Sequence, residues 1–336
     1  MVSRRRFLVQ SGASLITGSG AAAVFAQGAA GAPQTESFPS RPVRVVVPFA
    51  AGNTLDISLR QVGEVFRANT GQPIVVDAKP GGSGVIAAQA VMQAPPDGYT
   101  LLLSNISMLT INPHTFSKLP YDPERSFRHV TGFLGTSLVM AVPAALPVNT
   151  VQEFLAWARA NPAGANFASF TAGNASHFTG VILAKRSGVD LVHVPFNGTP
   201  PAVTALLGGQ VSSAFLPLLA VRPHVEAGRI KVLAVTSPQR SSLLPNVPTF
   251  REAGFPELEI YTWAGISAPA GTPDAVVERI ASEFTRAIRT REITDKWRAQ
   301  DFEPLPWTPG EFVDFIRKDS RRWAEAVKLS GFRAAD

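Results

Sequence analysis

The sequence predicts an α/β protein built on a largely parallel sheet. Short runs of β-branched and apolar residues alternate with segments of helical spacing, and turns rich in glycine or proline separate them. This alternation is typical of parallel sheets, in which a helix returns the chain to the same edge after each strand. The chain has 336 residues, 45% of them hydrophobic, which is enough for about two units with their own cores.

Taken in order, the predicted elements repeat strand, loop and helix. In the first third of the chain we expect strands at 43–47, 74–76 and 100–103, with helices at 56–69 and 85–93 between them. In the middle we expect strands at 138–142, 166–170, 191–194, near 214 and at 231–235, with helices at 150–161, 178–185 and 202–207. Two amphipathic helices, 273–288 and 311–329, complete the pattern.

The N-terminus has the order of a secretory signal. Ser3-Arg4-Arg5-Arg6-Phe7-Leu8 is followed by a charge-free run from Val9 to Phe25 and by Ala26 before a predicted cut. The paired arginines before Phe-Leu resemble a twin-arginine signal, which predicts export to the periplasm. Three glycines interrupt the run, so a retained membrane anchor is the less favoured alternative. We therefore predict a signal peptide at 1–26 and a flexible leader at 27–40.

Composition argues against several functional classes. The net charge is +6, but the chain has no run of five basic residues and no nucleic-acid-binding motif, so no nucleic-acid partner is predicted. It has no cysteine, its histidines lack metal-ligand spacing, and no cofactor motif fits, so neither metal nor cofactor is expected. Ser176 and His177 are adjacent, a spacing that does not make a nucleophile–base pair in a helix. Without a Gly-x-Ser-x-Gly motif, an exported α/β hydrolase is a minor alternative, and no catalytic residue is assigned.

Three loops share a pattern that suits an anionic ligand. Each follows an apolar strand, precedes a helix and combines glycine with small hydroxyl or amide side chains. Helix N-termini offer unpaired N–H groups and a partial positive charge, and glycine allows close backbone approach. Turns and caps without a ligand remain the competing interpretation, and Asp56 could face an amine or simply cap its helix. The loops contain Phe49, Ala50, Ala51, Gly52, Asn53 and Thr54; Thr171, Ala172, Gly173, Asn174, Ala175 and Ser176; and Phe196, Asn197, Gly198 and Thr199.

From about Phe38 to the C-terminus, the sequence resembles the Bug family of extracytoplasmic solute receptors, the binding proteins of tripartite tricarboxylate transporters. Many separate segments carry the resemblance in the same order. Among them are Phe38-Pro39-Ser40-Arg41-Pro42-Val43-Arg44, Lys79-Pro80-Gly81-Gly82, Pro96-Asp97-Gly98-Tyr99-Thr100-Leu101, Val192-His193-Val194-Pro195-Phe196, Leu206-Leu207-Gly208-Gly209-Gln210-Val211 and Ala268-Pro269-Ala270-Gly271-Thr272-Pro273.

The resemblance implies a two-lobed fold of the periplasmic-binding-protein type II, with a hinge and an interlobe cleft. It implies lobe 1 at 41–138 plus 265–336, lobe 2 at 139–264, and a non-enzymatic protein that captures a small carboxylate. The expected partners are that solute and the membrane permease subunits of a tripartite transporter, with the protein itself a monomer. An orphan receptor without a permease, used for sensing, is left open, as is an interaction role.

The resemblance also assigns candidate ligand residues. They are the residues of the three loops except Ala50 and Ala175, with Asp56, Ser104, His177 and Leu216 added. The family pattern Pro-Pro-Gly-Gly is here Ala50-Ala51-Gly52-Asn53, a turn that asparagine tolerates. Where the family often has an acidic residue after a phenylalanine, this chain has Leu216, which suggests a more apolar pocket and a ligand without an amino group.

Overall fold

The structure, a computed structural model, describes residues 38–334. The predicted signal peptide and residues 27–37 of the predicted leader lie outside the described residues. The strands are β1 (Val43–Val47), β2 (Ile74–Ala78), β3 (Thr100–Asn105), β4 (Phe127–Pro143), β5 (Asn166–Ser169), β6 (Val192–Pro195), β7 (Ala214–Pro217), β8 (Ile230–Val235), β9 (Tyr261–Pro269) and β10 (Phe302–Pro304). The helices are α1 (Thr54–Thr70), α2 (Val85–Met92), α3 (Asn112–Thr115), α4 (Val151–Ala160), α5 (Ala175–Ser187), α6 (Thr199–Leu207), α7 (Leu218–Glu226), α8 (Asp274–Ile288), α9 (Arg291–Arg298) and α10 (Pro309–Ser330).

Local sequence explains where the long C-terminal helix begins and ends. Thr308 accepts a hydrogen bond from the N–H of Glu311, and the Glu311 carboxylate accepts from the N–H of Thr308, which forms a capping box. Gly331, at φ +66°, ends the helix in the left-handed conformation that glycine adopts without steric cost. The sequence predicted α10 but missed this capping box.

The first lobe contains strands in the order β2-β1-β3-β9-β4-β10. β1 pairs parallel with both β2 and β3, as the alternation of strands and helices predicted. β9 runs antiparallel to both β3 and β4, and β10 is antiparallel to β4. The prediction of a largely parallel sheet is therefore wrong for this half, since β9 enters it from the second lobe and runs in the opposite direction.

The second lobe repeats the arrangement, with the order β6-β5-β7-β4-β8. β5 pairs parallel with β6 and β7, whereas the last part of β4 runs antiparallel to β7 and β8. Each lobe thus receives one antiparallel strand from a segment that crosses between lobes. The result is an α/β fold with a mixed ten-stranded sheet and two lobes.

The crossings fix where the lobes meet. β4 pairs with β9 as far as Ser137 and with β7 from Leu138, which lies beside the predicted boundary at 138/139. β9 pairs with the first lobe along its whole length, from Tyr261 to Pro269. The predicted boundary at 264/265 therefore falls inside a strand of the first lobe.

The last residues of the predicted flexible leader are held against the first lobe. The ring of Phe38 lies 4.9 Å from that of Tyr99, whose hydroxyl accepts a hydrogen bond from the N–H of Ser40 at 2.9 Å. Arg279 donates to the carbonyl of Phe38 at 3.3 Å. The prediction of a leader extending to residue 40 is wrong for residues 38–40, because an aromatic side chain there has a surface to pack on.

Candidate ligand-binding site

The topology turns the carboxyl edges of the two half-sheets toward each other. β3 and β4 each run antiparallel to β9, so β1, β2 and β3 run in the same direction as β4, toward the second lobe. β5, β6 and β7 run against β4, back toward the first lobe. The loops that follow these strands therefore border one interlobe cleft, the usual place for a ligand in open α/β sheets.

The first-lobe loop, between β1 and α1, is organised by its own side chains. Asn53 is the N-cap of α1 and accepts from the N–H groups of Leu55 and Asp56 at 2.8 and 3.0 Å. The buried Asp56 carboxylate accepts from the N–H of Gly52 at 2.7 Å and from Arg60 at 3.0 Å. Asp56 therefore stabilises the turn rather than capping the helix, and the cap that the sequence offered to Asp56 belongs to Asn53. Gly52 adopts φ +83°, so the altered turn keeps its left-handed residue.

Phe49, Ala51 and Thr54 complete this loop. Phe49 is half-buried and packs against the core of the first lobe, whereas Ala51 and Thr54 are exposed. Of the three, Thr54 is the first residue of α1, so its N–H has no partner within the helix.

In the second lobe, the loop between β5 and α5 forms a tight network. Asn174 caps α5 by accepting from the N–H of His177 at 3.2 Å, and Ser176 donates to Asn174 at 2.7 Å. The N–H of Gly173 donates to Nδ1 of His177 at 3.1 Å. The exposed Thr171 donates to the carbonyl of Phe170, and Ala172 next to it is also exposed. The network fixes the loop, and the loop fixes the direction of the backbone N–H groups at the start of α5.

The loop between β6 and α6 is joined to its neighbour. Gly198 donates to the carbonyl of Phe170 at 2.8 Å, and Phe196 donates to the carbonyl of Ser169 at 2.9 Å. Asn197 is exposed and Thr199 begins α6. Because Pro200 and Pro201 follow Thr199 and carry no N–H, this helix start offers fewer donors than an ordinary one. The structure thus brings two of the three predicted loops into direct contact.

Beneath these two loops lies a histidine pair that sequence reasoning missed. The rings of His177 and His193 stack with centroids 3.8 Å apart and planes 14° apart. Burial, with a smaller repulsion from His193, lowers the pKa of His177 to about 3, and burial lowers the pKa of His193 to about 4. Both rings are therefore neutral at pH 7. No local pattern in the sequence marks this pair. The position of His193 depends on the β5–β6 register, in which it lies opposite Phe167, and a sequence alone does not give that register.

Two predicted ligand residues are placed away from the cleft surface. Ser104 is fully buried and donates to the carbonyl of Gly265 at 3.0 Å, within the pairing of β3 with β9. Leu216 is fully buried in the core of the second lobe, beside Val139 and Ala141. The hypothesis that Leu216 makes the pocket apolar does not fit this placement, because alternation along β7 directs its side chain into the core.

Two cavities lie elsewhere on the described surface. One, of about 350 Å³, lies between α5 and α10, where Arg186 and Arg251 pair with Glu257 and Glu259. The other, of about 460 Å³, lies at the start of β4 and is lined by His129 and charged side chains of α10. Neither is lined by a predicted ligand residue, which is consistent with a site that is an open cleft.

Residues 38–334 contain no cluster of three or more histidine, cysteine or acidic side chains able to hold a metal ion. Over the same range, no helix combines the length and the apolar character that crossing a membrane requires.

Residues 58–332 match the family described as "Tripartite tricarboxylate transporter family receptor". The chain belongs to this receptor family. Among its relatives is the protein BugT of Bordetella pertussis, 30% identical over 297 residues that cover 88% of this chain and 91% of BugT. Such receptors are periplasmic solute-binding proteins, and this chain is one of them.

Solved structures of similar proteins agree with the fold. R. palustris Rpa4515, solved with adipate, is 30% identical, with a TM-score of 0.79 over 88% of this receptor and 99% of that chain. MatC from Rhodopseudomonas palustris, with bound malate, is 29% identical, with a TM-score of 0.74 over 86% of this receptor and all of that chain.

In the second lobe of the receptor, the hydroxyl of Ser169 contacts Nε2 of His193 at 2.7 Å. Ser169 is fully buried and also donates to the carbonyl of Thr171 at 3.1 Å. Since a hydroxyl has one hydrogen, this bond leaves His193 to donate to Ser169 through Nε2. The contact holds the β5–α5 loop to β6.

Proposed function

We propose that this receptor captures a small carboxylate in the cleft between its lobes and delivers it to the permease of a tripartite transporter. The observation that carries the proposal is the set of three glycine-containing loops on facing carboxyl edges, two of which cap the following helix with an asparagine side chain. The adipate and malate bound by the two similar proteins support the same class of solute. We also propose that the protein acts as a monomer and has no enzymatic activity.

Backbone N–H groups are the proposed anion donors. In the described contacts, the caps occupy the N–H groups of Leu55, Asp56 and His177, and that leaves those of Thr54, Ala175 and Ser176 at the helix starts. These donors are neutral, so a carboxylate would be held by hydrogen bonds and by the partial positive charge of two helix N-termini. No arginine or lysine lies in the three loops, which favours reversible capture.

The proposal is tested by removing one donor without disturbing its helix. Thr54→Pro deletes the N–H of the first residue of α1, a position where proline is well tolerated. Asn53 has φ −72° and ψ 167°, a conformation compatible with a following proline. We expect the unliganded melting temperature to stay near that of wild type, because no other contact of α1 changes. We expect the rise in melting temperature with adipate or malate to require about tenfold more ligand, as loss of one charge-assisted hydrogen bond predicts.

Arg291→Pro is the matched control, since Arg291 is the first residue of α9 and belongs to none of the three cleft loops. Its ligand response should equal that of wild type. If no mono-, di- or tricarboxylate raises the melting temperature of folded, ligand-free wild-type protein, the carboxylate proposal is wrong. If both proline variants need more ligand for the same rise in melting temperature, the loss reflects a general effect of proline on helix stability and not the missing donor.

Two further parts of the proposal concern boundaries and export. The change of partner in β4 and the pairing of β9 support lobes at 41–137 plus 261–334 and at 138–260.

We propose that the twin-arginine motif at Arg4 and Arg5 directs export to the periplasm. Replacing both with lysine should abolish export, and export of wild-type protein in cells without the twin-arginine system would contradict it.

A further inference from the structure

The last described residues form a short strap, residues 331–334, that is fixed to the first lobe. The N–H of Ala334 donates to the carbonyl of Thr115 at 3.0 Å. Arg333 donates to the carbonyl of His114 at 3.3 Å, and the His114 ring contacts Ser320 of α10 at 2.9 Å. α3, which supplies both carbonyls, is joined to β3 by a helical turn at Ser107–Ile111 and belongs to the first lobe.

Between these anchors and α10, the side chain of Phe332 enters the second lobe. Its ring lies edge-on to His177 with centroids 5.3 Å apart, and edge-on to Phe178 at 5.9 Å. Phe332 is half-buried and packs against the main core cluster. A residue held by the first lobe therefore supports the first turn of α5 in the second lobe.

The ring of Phe332 also fills the space beside Gly173. A β-carbon on Gly173 would lie 2.5 Å from the ring of Phe332, and Gly173 adopts φ +73°. The N–H of Gly173 donates to His177, whose ring touches Phe332 as well. Phe332 thus contacts both ends of the hydrogen bond that fixes the β5–α5 loop.

We propose that Phe332 is a positioning residue for the ligand loop: the strap carries it from the first lobe into the second, where it holds the 171–177 segment in its binding conformation. The inference rests on the proposed function, because it concerns the loop to which the carboxylate donors of α5 are assigned. If so, the affinity of the second-lobe loop for the carboxylate depends on contacts that fix the strap to the first lobe. When a loop is in its binding conformation only part of the time, the apparent Kd equals the intrinsic Kd divided by the fraction of molecules in that conformation.

The test combines four variants of the full mature chain. Phe332→Ala removes the ring, and Phe332→Leu restores part of its apolar volume. Ala334→Pro deletes the N–H that fixes the strap but leaves the ring chemistry unchanged. Phe315→Ala is the control, because Phe315, in α10, is also a half-buried phenylalanine but packs on Trp263 and Trp307 of the first lobe.

Hydrogen exchange of the peptide covering residues 170–178 and calorimetric titration with adipate are the two readouts. We expect Phe332→Ala to raise both the exchange rate and the adipate Kd about tenfold, with Phe332→Leu intermediate and Ala334→Pro changed in the same direction. Phe315→Ala should leave both readouts within about twofold of wild type, even if it lowers the melting temperature.

Unchanged exchange in both Phe332→Ala and Ala334→Pro would overturn the inference. Equal acceleration in Phe315→Ala would also overturn it, because the effect would then be general destabilisation. Failure of wild-type protein to bind adipate would count against the proposed ligand and would leave exchange of the 170–178 peptide to decide the role of Phe332.

Discussion

At the scale of single residues, the second-lobe part of the candidate site depends on neutral side chains that hydrogen-bond to one another and to the backbone. His177 accepts from Gly173 through Nδ1, which must therefore be unprotonated, and His193 donates to Ser169 through Nε2, which must carry a proton. A protonated His177 would lose its acceptor and would repel a protonated partner 3.8 Å away. Burial and stacking therefore couple the shape of the β5–α5 loop to the protonation of two side chains.

The stack makes stability fall in acid. In the unfolded chain a histidine titrates near pH 6.5, whereas burial lowers the pKa of His193 to about 4. Between these values the unfolded state binds a proton that the folded state does not, so the free energy of unfolding decreases as pH falls from about 6.5 to about 4. We expect His193→Gln to flatten this decrease in urea titrations at pH 7, 6, 5 and 4.5. His224→Gln, in α7 outside the stack, should keep the wild-type slope, and equal slopes for all three proteins would contradict the argument.

Several residue roles were predictable because they depend on neighbours in the chain. Thr150 caps α4 by accepting from the N–H of Glu153 at 3.1 Å, and a threonine three residues before a glutamate is the sequence pattern of a capping box. The Glu153 carboxylate, however, accepts from Asn149 rather than from Thr150, so the capping box is only half formed. The positions of Leu216 and His193 could not be predicted, since they depend on which face of a strand meets a core assembled from distant segments.

At the scale of elements, β4 and β9 pass so close to the C-terminal segment that only glycine fits. Gly132 and Gly265 are paired in register across the two strands. A β-carbon on Gly132 would lie 2.5 Å from the backbone oxygen of Leu305, and one on Gly265 would lie 2.1 Å from the ring of Phe312. These close approaches seat the beginning of α10 on the strands that cross between the lobes.

This packing predicts unequal costs for two glycine substitutions. Gly265→Ala forces Phe312 or the strand to move and should lower the free energy of unfolding by about 1–3 kcal/mol, as overpacking does elsewhere. Gly135→Ala, in the same strand as Gly132, meets the flexible end of Leu305 at 3.2 Å and the ring of Tyr261 at 3.5 Å, and should cost less. Chemical denaturation of both variants measures the difference. Equal stability of the two would show that the Gly265 contact is readily relieved.

Element order followed from the sequence better than strand direction did. The alternation of strand and helix predicted β1, β2 and β3 and their parallel pairing, because each helix is short enough to return the chain locally. The antiparallel placement of β9 depends on a return from the second lobe, and no local pattern records that return. β10 was missed because three residues carry too little periodicity to detect.

At the scale of the whole molecule, one carboxylate joins the two lobes at the crossing. Asp301, between α9 and β10 of the first lobe, accepts from Ser241 of the second lobe at 2.5 Å and from Ser137 at 3.3 Å. Ser137 is the last residue of β4 that pairs with the first lobe. Burial raises the pKa of the Asp301 carboxyl, and both serine hydroxyls stabilise its charged form.

Removing the second-lobe contact should loosen the relation between the lobes. The chain has no cysteine, so Glu64→Cys in α1 and Thr204→Cys in α6 provide two specific sites for spin labels. We expect Ser241→Ala to broaden the interlabel distance distribution of ligand-free protein and to cost about 1 kcal/mol, the usual value of one hydrogen bond. Ser187→Ala, whose hydroxyl bonds only within its own helix, should leave the distribution as in wild type. Identical distributions for all three proteins would mean that Asp301 does not restrain the crossing.

The exchange of strands between lobes has a consequence for how the chain acquires its structure. The sheet of the first lobe begins at residue 43 but is incomplete until β9, at 261–269, and β10, at 302–304, have been synthesised. The second lobe, in turn, needs the end of β4, which leaves the first lobe. The first lobe therefore cannot complete its sheet until the C-terminal segment has emerged from the ribosome, whereas all strands of the second lobe have been synthesised by residue 235. The contacts of high sequence separation that close the first lobe form late. Until then, β3 and the first part of β4 lack their native partner β9, and unpaired strand edges of this kind favour aggregation.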